Sequence, residues 1–366
     1  MTTVHQFVPA LLPRDATGDH TLALRDTFRQ AGWTSDIYVE AAHDELLGEA
    51  TYFERYPEQA RPGDILLYQL STASPVADFL LGRAETLVLD YHNITPPGFY
   101  EDWEEHTAEK VALARRQMAE LAPRAMLGIA DSAFNAAELR VFGCPSTEVV
   151  PILTNIDAWG SRALADPAEL SRRKDVHGPG AVLLFVGRLS PNKNQHLLVE
   201  TLWLYRQWYD PGARLALVGP AITGAYAEAV QGYAAELGLA GAVDHGEHLS
   251  PAQLAAWYSD ADVFVCLSEH EGFCIPLLEA MHFDLPIVAL AAGAVPETLG
   301  SAGILIDAKR PSLAAAAVHQ VRSDPSCAEF LATEGRRRLD AFGGAATRAR
   351  FLEVLGALDA RQGVRG

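Results

Sequence analysis

Short apolar runs, each closed by Gly, Asp, Asn or Pro, alternate along this chain with longer stretches of helical periodicity, and the alternation occurs twice over. Strands covered by helices on both faces read as continuous apolar runs, because every side chain is buried whichever way it points. The pattern therefore predicts βαβ units and parallel sheets. The first half supplies candidate strands at residues 4–8, 65–70, 86–90, 125–130 and 149–153, and the second at 182–186, 214–218, 263–267, 287–290 and 304–306. Between the two sets, residues 154–180 have no strand character, which places a domain boundary just after residues 151–157. A chain of 366 residues is too long for one ordinary core and long enough for two. Two Rossmann-like α/β domains are expected, 1–155 and 156–344. A helical stretch over about 345–366 follows the completed second sheet and is expected to pack back on the first domain.

Composition narrows the class of partner. The formal net charge is −18, which opposes nucleic acid and anionic lipid at long range. No run reaches the roughly 18 apolar residues of a membrane span, and the first residues lack a basic stretch followed by an apolar core. The expectation is a cytoplasmic protein without an integral membrane segment, with a homodimer allowed. Cys144, Cys266, Cys274 and Cys327 form neither CxxC pairs nor a His-associated cluster, so reduced thiols and no metal are expected. A phosphate-bearing ligand would then need locally concentrated Arg or Lys.

The segment 182–196, VLLFVGRLSPNKNQH, is a buried strand ending at Gly187, a turn through Ser190 and Pro191, and a helix beginning near Asn194. Arg188 and Lys193 thus stand at the carboxyl end of a strand, where ligands bind in open α/β sheets and where two cations hold a diphosphate. Alone, the pair reads equally well as a solvated loop. The segment 268–281, SEHEGFCIPLLEAM, follows a second strand and opens a helix whose first turn suits Pro276. The N–H groups of Gly272, Phe273 and Cys274 would precede that helix, where unsatisfied donors and the dipole favour an anion. Glu271 and Glu279 are poor phosphate ligands but good acceptors for sugar hydroxyls. Their plainer reading is an ordinary helix-start charge and a surface Glu.

Gly187-Arg188-x4-Lys193 followed by Glu271-x7-Glu279 closely resembles the family-4 glycosyltransferases of GT-B fold, specifically over residues 182–307 and more loosely elsewhere. The resemblance implies two Rossmann-like domains with parallel sheets facing a central cleft. It assigns Arg188 and Lys193 to a donor diphosphate, Glu271 to the transferred sugar and Glu279 to the ribose, with Gly187, Gly272, Phe273 and Cys274 lining the donor site. Gly18, in Pro13-Arg-Asp-Ala-Thr-Gly-Asp-His20, stands where family members commonly carry a Gly-Gly pair. His92, after the strand at 86–90, resembles the family's histidine near the reacting face of the sugar, although a lone His after a strand is more often structural. His248 and Leu249 stand in a turn that lies under the nucleobase in similar enzymes. Asn93 and Tyr100 fall in the loops expected to bind acceptor.

The activity implied is that of a retaining, metal-independent hexosyltransferase without a bound cofactor. It would move a sugar from a nucleoside-diphosphate donor, UDP first, with GDP and dTDP as alternatives, to a hydroxyl of a soluble small-molecule, oligosaccharide or natural-product acceptor. Asp260 and Asp262 read as structural, since metal-dependent transferases use DxD in a different fold. An epimerase or phosphorylase on the same architecture, and a non-catalytic nucleotide-binding partner subunit, remain as rivals. A NAD-dependent oxidoreductase is disfavoured because no G-x-G-x-x-G follows either first strand.

Overall fold

The computed structural model of the protein describes residues 2–13, 15–154, 162–222 and 224–363. These form two compact units. The first is drawn from Met1–Gly98, Glu105–Thr154 and Phe342–Gly366, and the second from Phe99–Glu104 and Asn155–Ala341. Residues 155–157 of the expected boundary lie outside the described residues.

The first unit is built on β1 (Val4–Leu11), β2 (Ile37–Ala42), β3 (Thr51–Tyr52), β4 (Ile65–Leu70), β5 (Thr86–Tyr91), β6 (Leu127–Ala130) and β7 (Thr147–Val149). Among the described residues they form one parallel sheet in the order β3-β2-β1-β4-β5-β6-β7. Strands β4 and β6 are buried along their whole length, as a sheet covered on both faces requires. One cover is the helix Gly344–Gly363, whose Phe351, Val354, Leu355 and Leu358 join Val4, Leu24, Phe28, Ile65, Leu67 and Val88 in a single cluster. Arg350 pairs with Glu148 at 2.7 Å on the same contact.

The second unit is built on β8 (Val182–Val186), β9 (Arg214–Val218), β10 (Val243–Gly246), β11 (Val263–Cys266), β12 (Ile287–Leu290) and β13 (Gly303–Ile306). They too pair only in parallel, in the order β10-β9-β8-β11-β12-β13. Both sheets therefore have the doubly wound arrangement anticipated from the sequence. Strand order reverses between β1 and β4 in the first sheet and between β8 and β11 in the second, and such switch points open crevices at the strands' carboxyl ends.

Three departures from the sequence reading bear on the site. Tyr100 belongs with the second unit, because Phe99–Glu104 leaves the first: the Tyr100 hydroxyl is 3.2 Å from Ser190 Oγ, and the Trp103 ring stands edge-on to Tyr226 at 5.0 Å. Gly18 lies inside the helix Ala16–Gln30 rather than in a loop. Its N–H bonds to the Asp15 carboxylate at 3.1 Å, and a Cβ there would meet the Leu12 carbonyl oxygen at 2.7 Å, so glycine is needed for close packing. Finally, the apolar run 149–153 is mostly not a strand, since β7 ends at Val149 and Val150, Ile152 and Leu153 are simply buried. No helix among the described residues is long and apolar enough to cross a membrane.

Candidate functional site

In the second unit the loops after β8 and β11 leave neighbouring strands at the switch point, and they are tied together by side chain and backbone. The Glu269 N–H donates to the Asn192 carbonyl at 2.9 Å, the Asn192 amide donates to the His270 carbonyl at 3.2 Å, and Asn194 Nδ2 donates to the Leu267 carbonyl at 2.9 Å. Asn194 takes the left-handed conformation with φ 56°, which lets the turn Pro191–Lys193 run straight into the helix Gln195–Trp208. Gln195 then reaches back and donates to the Arg188 carbonyl at 2.9 Å.

Across this framework Lys193 Nζ donates to Glu271 Oε1 at 2.6 Å, with both side chains largely buried. Burial works against the Lys193 ammonium, but the Glu271 charge and hydrogen bond outweigh it and hold its pKa above the ordinary lysine value. Arg188 extends from the end of β8 and is exposed; among the described residues its guanidinium has no side-chain partner. One cation is thus pre-positioned by a carboxylate and the other is free to meet a ligand. Phe273 is buried and Cys274 is the N-cap of the helix Ile275–His282, with φ 71°. The Phe273 carbonyl accepts from Thr298 Oγ1 at 2.6 Å.

Glu279, one turn into that helix, accepts from the Tyr258 hydroxyl at 2.6 Å. Burial raises its carboxyl pKa despite the stabilising bond from Tyr258. His248 is 86% exposed with φ 52°, and Leu249 is half-buried beside it; neither is brought against Lys193 or Glu271 by any described contact. Asp260 pairs with buried Arg173 at 3.3 Å, while Asp262 accepts from the Val182 N–H at 2.8 Å and pairs with Arg322, so both carboxylates are engaged within the fold.

Sequence reasoning missed Gly293. It follows β12 with φ 56°, and a Cβ on it would stand 2.7 Å from the Glu271 carbonyl oxygen and 2.9 Å from the Glu271 nitrogen. The Ala294 N–H donates to that same carbonyl at 2.9 Å. Gly293→Ala is expected to lose about 2 kcal/mol, combining the left-handed φ with the backbone clash. The checks are urea denaturation and a crystal structure of the variant, in which the Lys193–Glu271 bond should be lengthened or broken. A variant as stable as the parent with that bond intact would refute the assignment.

In the first unit, His92 and Asn93 follow β5 and Asp131 follows β6. A chain of amides sets the protonation of His92. Gln6 Nε2 donates to the Thr21 carbonyl, so Gln6 Oε1 accepts from Gln69 Nε2 at 3.1 Å, leaving Gln69 Oε1 facing His92 Nε2 at 2.6 Å. His92 Nδ1 lies 3.1 Å from Asp131 Oδ2. Both ring nitrogens face acceptors, so the ring is an imidazolium. Burial opposes that charge, but Asp131 and Asp90 overcome it and push His92 up to about 9. Asp131 is itself pushed above the usual carboxylate range, because its burial exceeds the help that it receives from His92. Next to them His20 accepts the Leu153 N–H on Nδ1 at 2.8 Å and keeps Nε2–H for Asp90 at 3.0 Å. Asn93, with φ 74°, donates to Asn135 Oδ1 at 2.8 Å, so its amide also is engaged within the unit.

Among the described residues two groups have ligand atoms close enough to share a metal ion: His20, Asp90 and His92, of which His92 is partly buried, and the buried Cys266, Glu271 and Cys274. The first group is committed to the hydrogen bonds just described, which leave no ring lone pair on His92 for a metal.

Residues 168–338 match the model of the family described as glycosyl transferases group 1. A D-inositol 3-phosphate glycosyltransferase of Thermomonospora curvata is 35% identical over 201 residues, 53% of this chain and 46% of that protein. A GDP-mannose-dependent alpha-(1-6)-phosphatidylinositol monomannoside mannosyltransferase of Mycolicibacterium smegmatis is 31% identical over 231 residues, 60% of this chain and 59% of that one. The chain thus spans about half the length of the curated relatives that it matches. Among solved structures, sucrose-phosphate synthase from Thermosynechococcus elongatus superposes with a TM-score of 0.76 over 98% of this chain and 100% of that one at 18% identity. The Anabaena protein HepE in complex with UDP-glucose superposes with a TM-score of 0.75 over 97% and 99% at 19% identity, and both likenesses concern fold. The group 1 match lies across the unit that carries Lys193 and Glu271, so that part of the chain is similar to the glycosyl transferases group 1 family, and the two parallel doubly wound sheets have the GT-B fold.

Proposed function

We propose that the chain is a retaining, metal-independent hexosyltransferase that takes a sugar from a nucleoside-diphosphate donor to a hydroxyl of a soluble acceptor, and that the loops after β8 and β11 are its donor site. The observation that carries this reading is the Lys193–Glu271 pair, in loops that also carry the exposed Arg188 and open the helix Ile275–His282. As the anomeric bond breaks, negative charge grows on the leaving diphosphate, and preorganised cations and helix-end N–H groups stabilise it more than the ground state. Lys193 serves both the diphosphate and Glu271, and Glu271 orients the sugar hydroxyls. His92, whose ring N–H groups are committed, contributes its positive charge to the sugar's reacting face. Glu279 accepts from the ribose, while His248 and Leu249 form the turn beneath the base. Gly18 lets the first helix pack closely on the Leu12 carbonyl, and Asn93 and Tyr100 are assigned to acceptor binding.

UDP is the first choice of nucleotide. The mannosyltransferase relative named as GDP-mannose-dependent makes GDP the main alternative, with dTDP third. The deciding experiment is calorimetric titration of UDP, GDP and dTDP into EDTA-treated protein, repeated with Lys193→Ala. Micromolar binding of one nucleotide that disappears in the variant is expected; no binding of any would overturn the donor site.

Tyr258→Phe provides a finer test. The substitution removes the hydroxyl that holds Glu279 and keeps the ring that stacks on Phe283 at 5.0 Å. Nucleotide affinity is expected to fall about tenfold, on the order of 1.4 kcal/mol, with kcat at saturating donor unchanged because ribose contacts do not alter during reaction. An unchanged Kd would remove Glu279 from the ribose.

A further inference from the structure

Cys266 ends β11 and Cys274 caps the helix that follows the same loop, so one turn of chain returns the second thiol to the first. Their Sγ atoms are 4.0 Å apart, at residues 1% and 8% exposed, and the Glu271 carboxylate belongs to the same group, with all ligand atoms within 4.8 Å of one another. A disulfide needs its sulfurs at about 2.05 Å, so the pair as it stands is not joined. Tetrahedral zinc, with Zn–S near 2.3 Å, separates two thiolates by about 3.8 Å, close to the spacing found.

We propose that Cys266, Cys274 and Glu271 form a three-ligand site for a thiophilic divalent cation such as Zn2+, and that filling it draws Glu271 away from Lys193. Two thiolates select soft and borderline cations over Mg2+ or Ca2+, and three protein ligands leave a fourth position open. Binding releases two thiol protons to solvent and forms two metal–sulfur bonds and one metal–oxygen bond, with no change of oxidation state. Because Lys193 Nζ is 2.6 Å from Glu271 Oε1, ammonium and dication compete for one carboxylate. The cation therefore acts as an inhibitor of this site. That consequence rests on the donor reading; the metal site does not.

The test is titration of the reduced, EDTA-treated and desalted protein with Co2+, followed by displacement with Zn2+. One equivalent of cobalt with thiolate charge-transfer and tetrahedral ligand-field bands is expected in the parent and in Cys327→Ser, whose thiol lies outside the group. Cys266→Ser and Cys274→Gly should lose both bands and weaken Zn2+ by on the order of a hundredfold or more. Glycine adopts φ 71° without strain, so Cys274→Gly keeps the backbone of the turn, and urea midpoints of both variants check that each is folded. Absent bands, or bands retained in both cysteine variants, would overturn the site. Initial rates, with calorimetry of UDP beside them, then separate the two ideas. Turnover lowered at least tenfold by one equivalent of Zn2+ in the parent but not in Cys266→Ser supports the competition, and turnover indifferent to bound zinc refutes it. Failure of UDP to bind with or without zinc counts against the donor reading, while the cobalt spectrum still decides the metal site.

Discussion

Lys193→Ala and Glu271→Ala are each expected to lower turnover roughly a hundredfold or more, on the order of 3 kcal/mol, the scale of one preorganised contact to developing charge. Each also strands a buried ion. The two side chains are 17% and 10% exposed, so removing one partner leaves the other desolvated and uncompensated, and stability should fall as well. The double variant separates the effects. Removing both charges should restore most of the lost stability, because no unpaired ion remains, yet turnover should stay at or below that of the single variants. Initial rates with saturating donor and acceptor, read beside urea midpoints for all three proteins, provide the check. Turnover that recovers with stability would mean that the pair only holds the loops together, and turnover retained in either single variant would remove that residue from the reaction.

The second large effect is a loss of stability on raising the pH. Unfolded His92 titrates near the ordinary histidine value of 6.5, whereas in the folded protein it is pushed up to about 9. Below about pH 6.5 both states are protonated and the stabilisation is fully present. Between those values the folded chain holds a proton that the unfolded chain has released, so stability declines with rising pH, and above about 9 the contribution is gone. The expected decline is on the order of a few kcal/mol. Denaturation midpoints measured from pH 6 to 10 should show this decline, and Asp131→Asn, which removes the facing charge, should flatten it. A parent protein with constant stability over that range would contradict the imidazolium.

The strands that the sequence displayed best are those that the fold covers on both faces. Residues 65–70, 182–186, 214–218 and 287–290 coincide with β4, β8, β9 and β12, where a continuous apolar run is the direct consequence of double burial. Strands β2, β3 and β10 escaped notice for the same reason in reverse. They lie at or next to a sheet edge and carry Glu40, Thr51, or Asp244 and His245, so no run forms. Residues 151–153 misled because burial alone, beyond the last ladder bond at Val150, also selects apolar side chains.

At the candidate site, Arg188, Lys193, Glu271 and Glu279 were legible because each stands at a set distance from a strand end or helix start. Their supports were not. Gly293, Tyr258, Gln69 and Asp131 act through contacts between segments far apart in sequence, and nothing local in a glycine after a strand, or in a tyrosine eight residues past a helix cap, announces a partner. Tyr100 falls in the second unit because a loop's allegiance is decided by what it packs on, here Ser190, rather than by the strand that it leaves.

The interleaved path of the chain sets an order of assembly. Apart from the short excursion Phe99–Glu104, the second unit is one continuous stretch, whereas the first needs Phe342–Gly366 to complete the cluster around Phe28. Until Phe351 and Leu355 arrive, the faces formed by Val4, Leu24 and Ile65 stay wet, and closing the core means closing a loop the length of a whole domain. The unit that is written first in the sequence is therefore the one that finishes last, and its partially formed sheet is the surface that a nascent chain must protect from other chains.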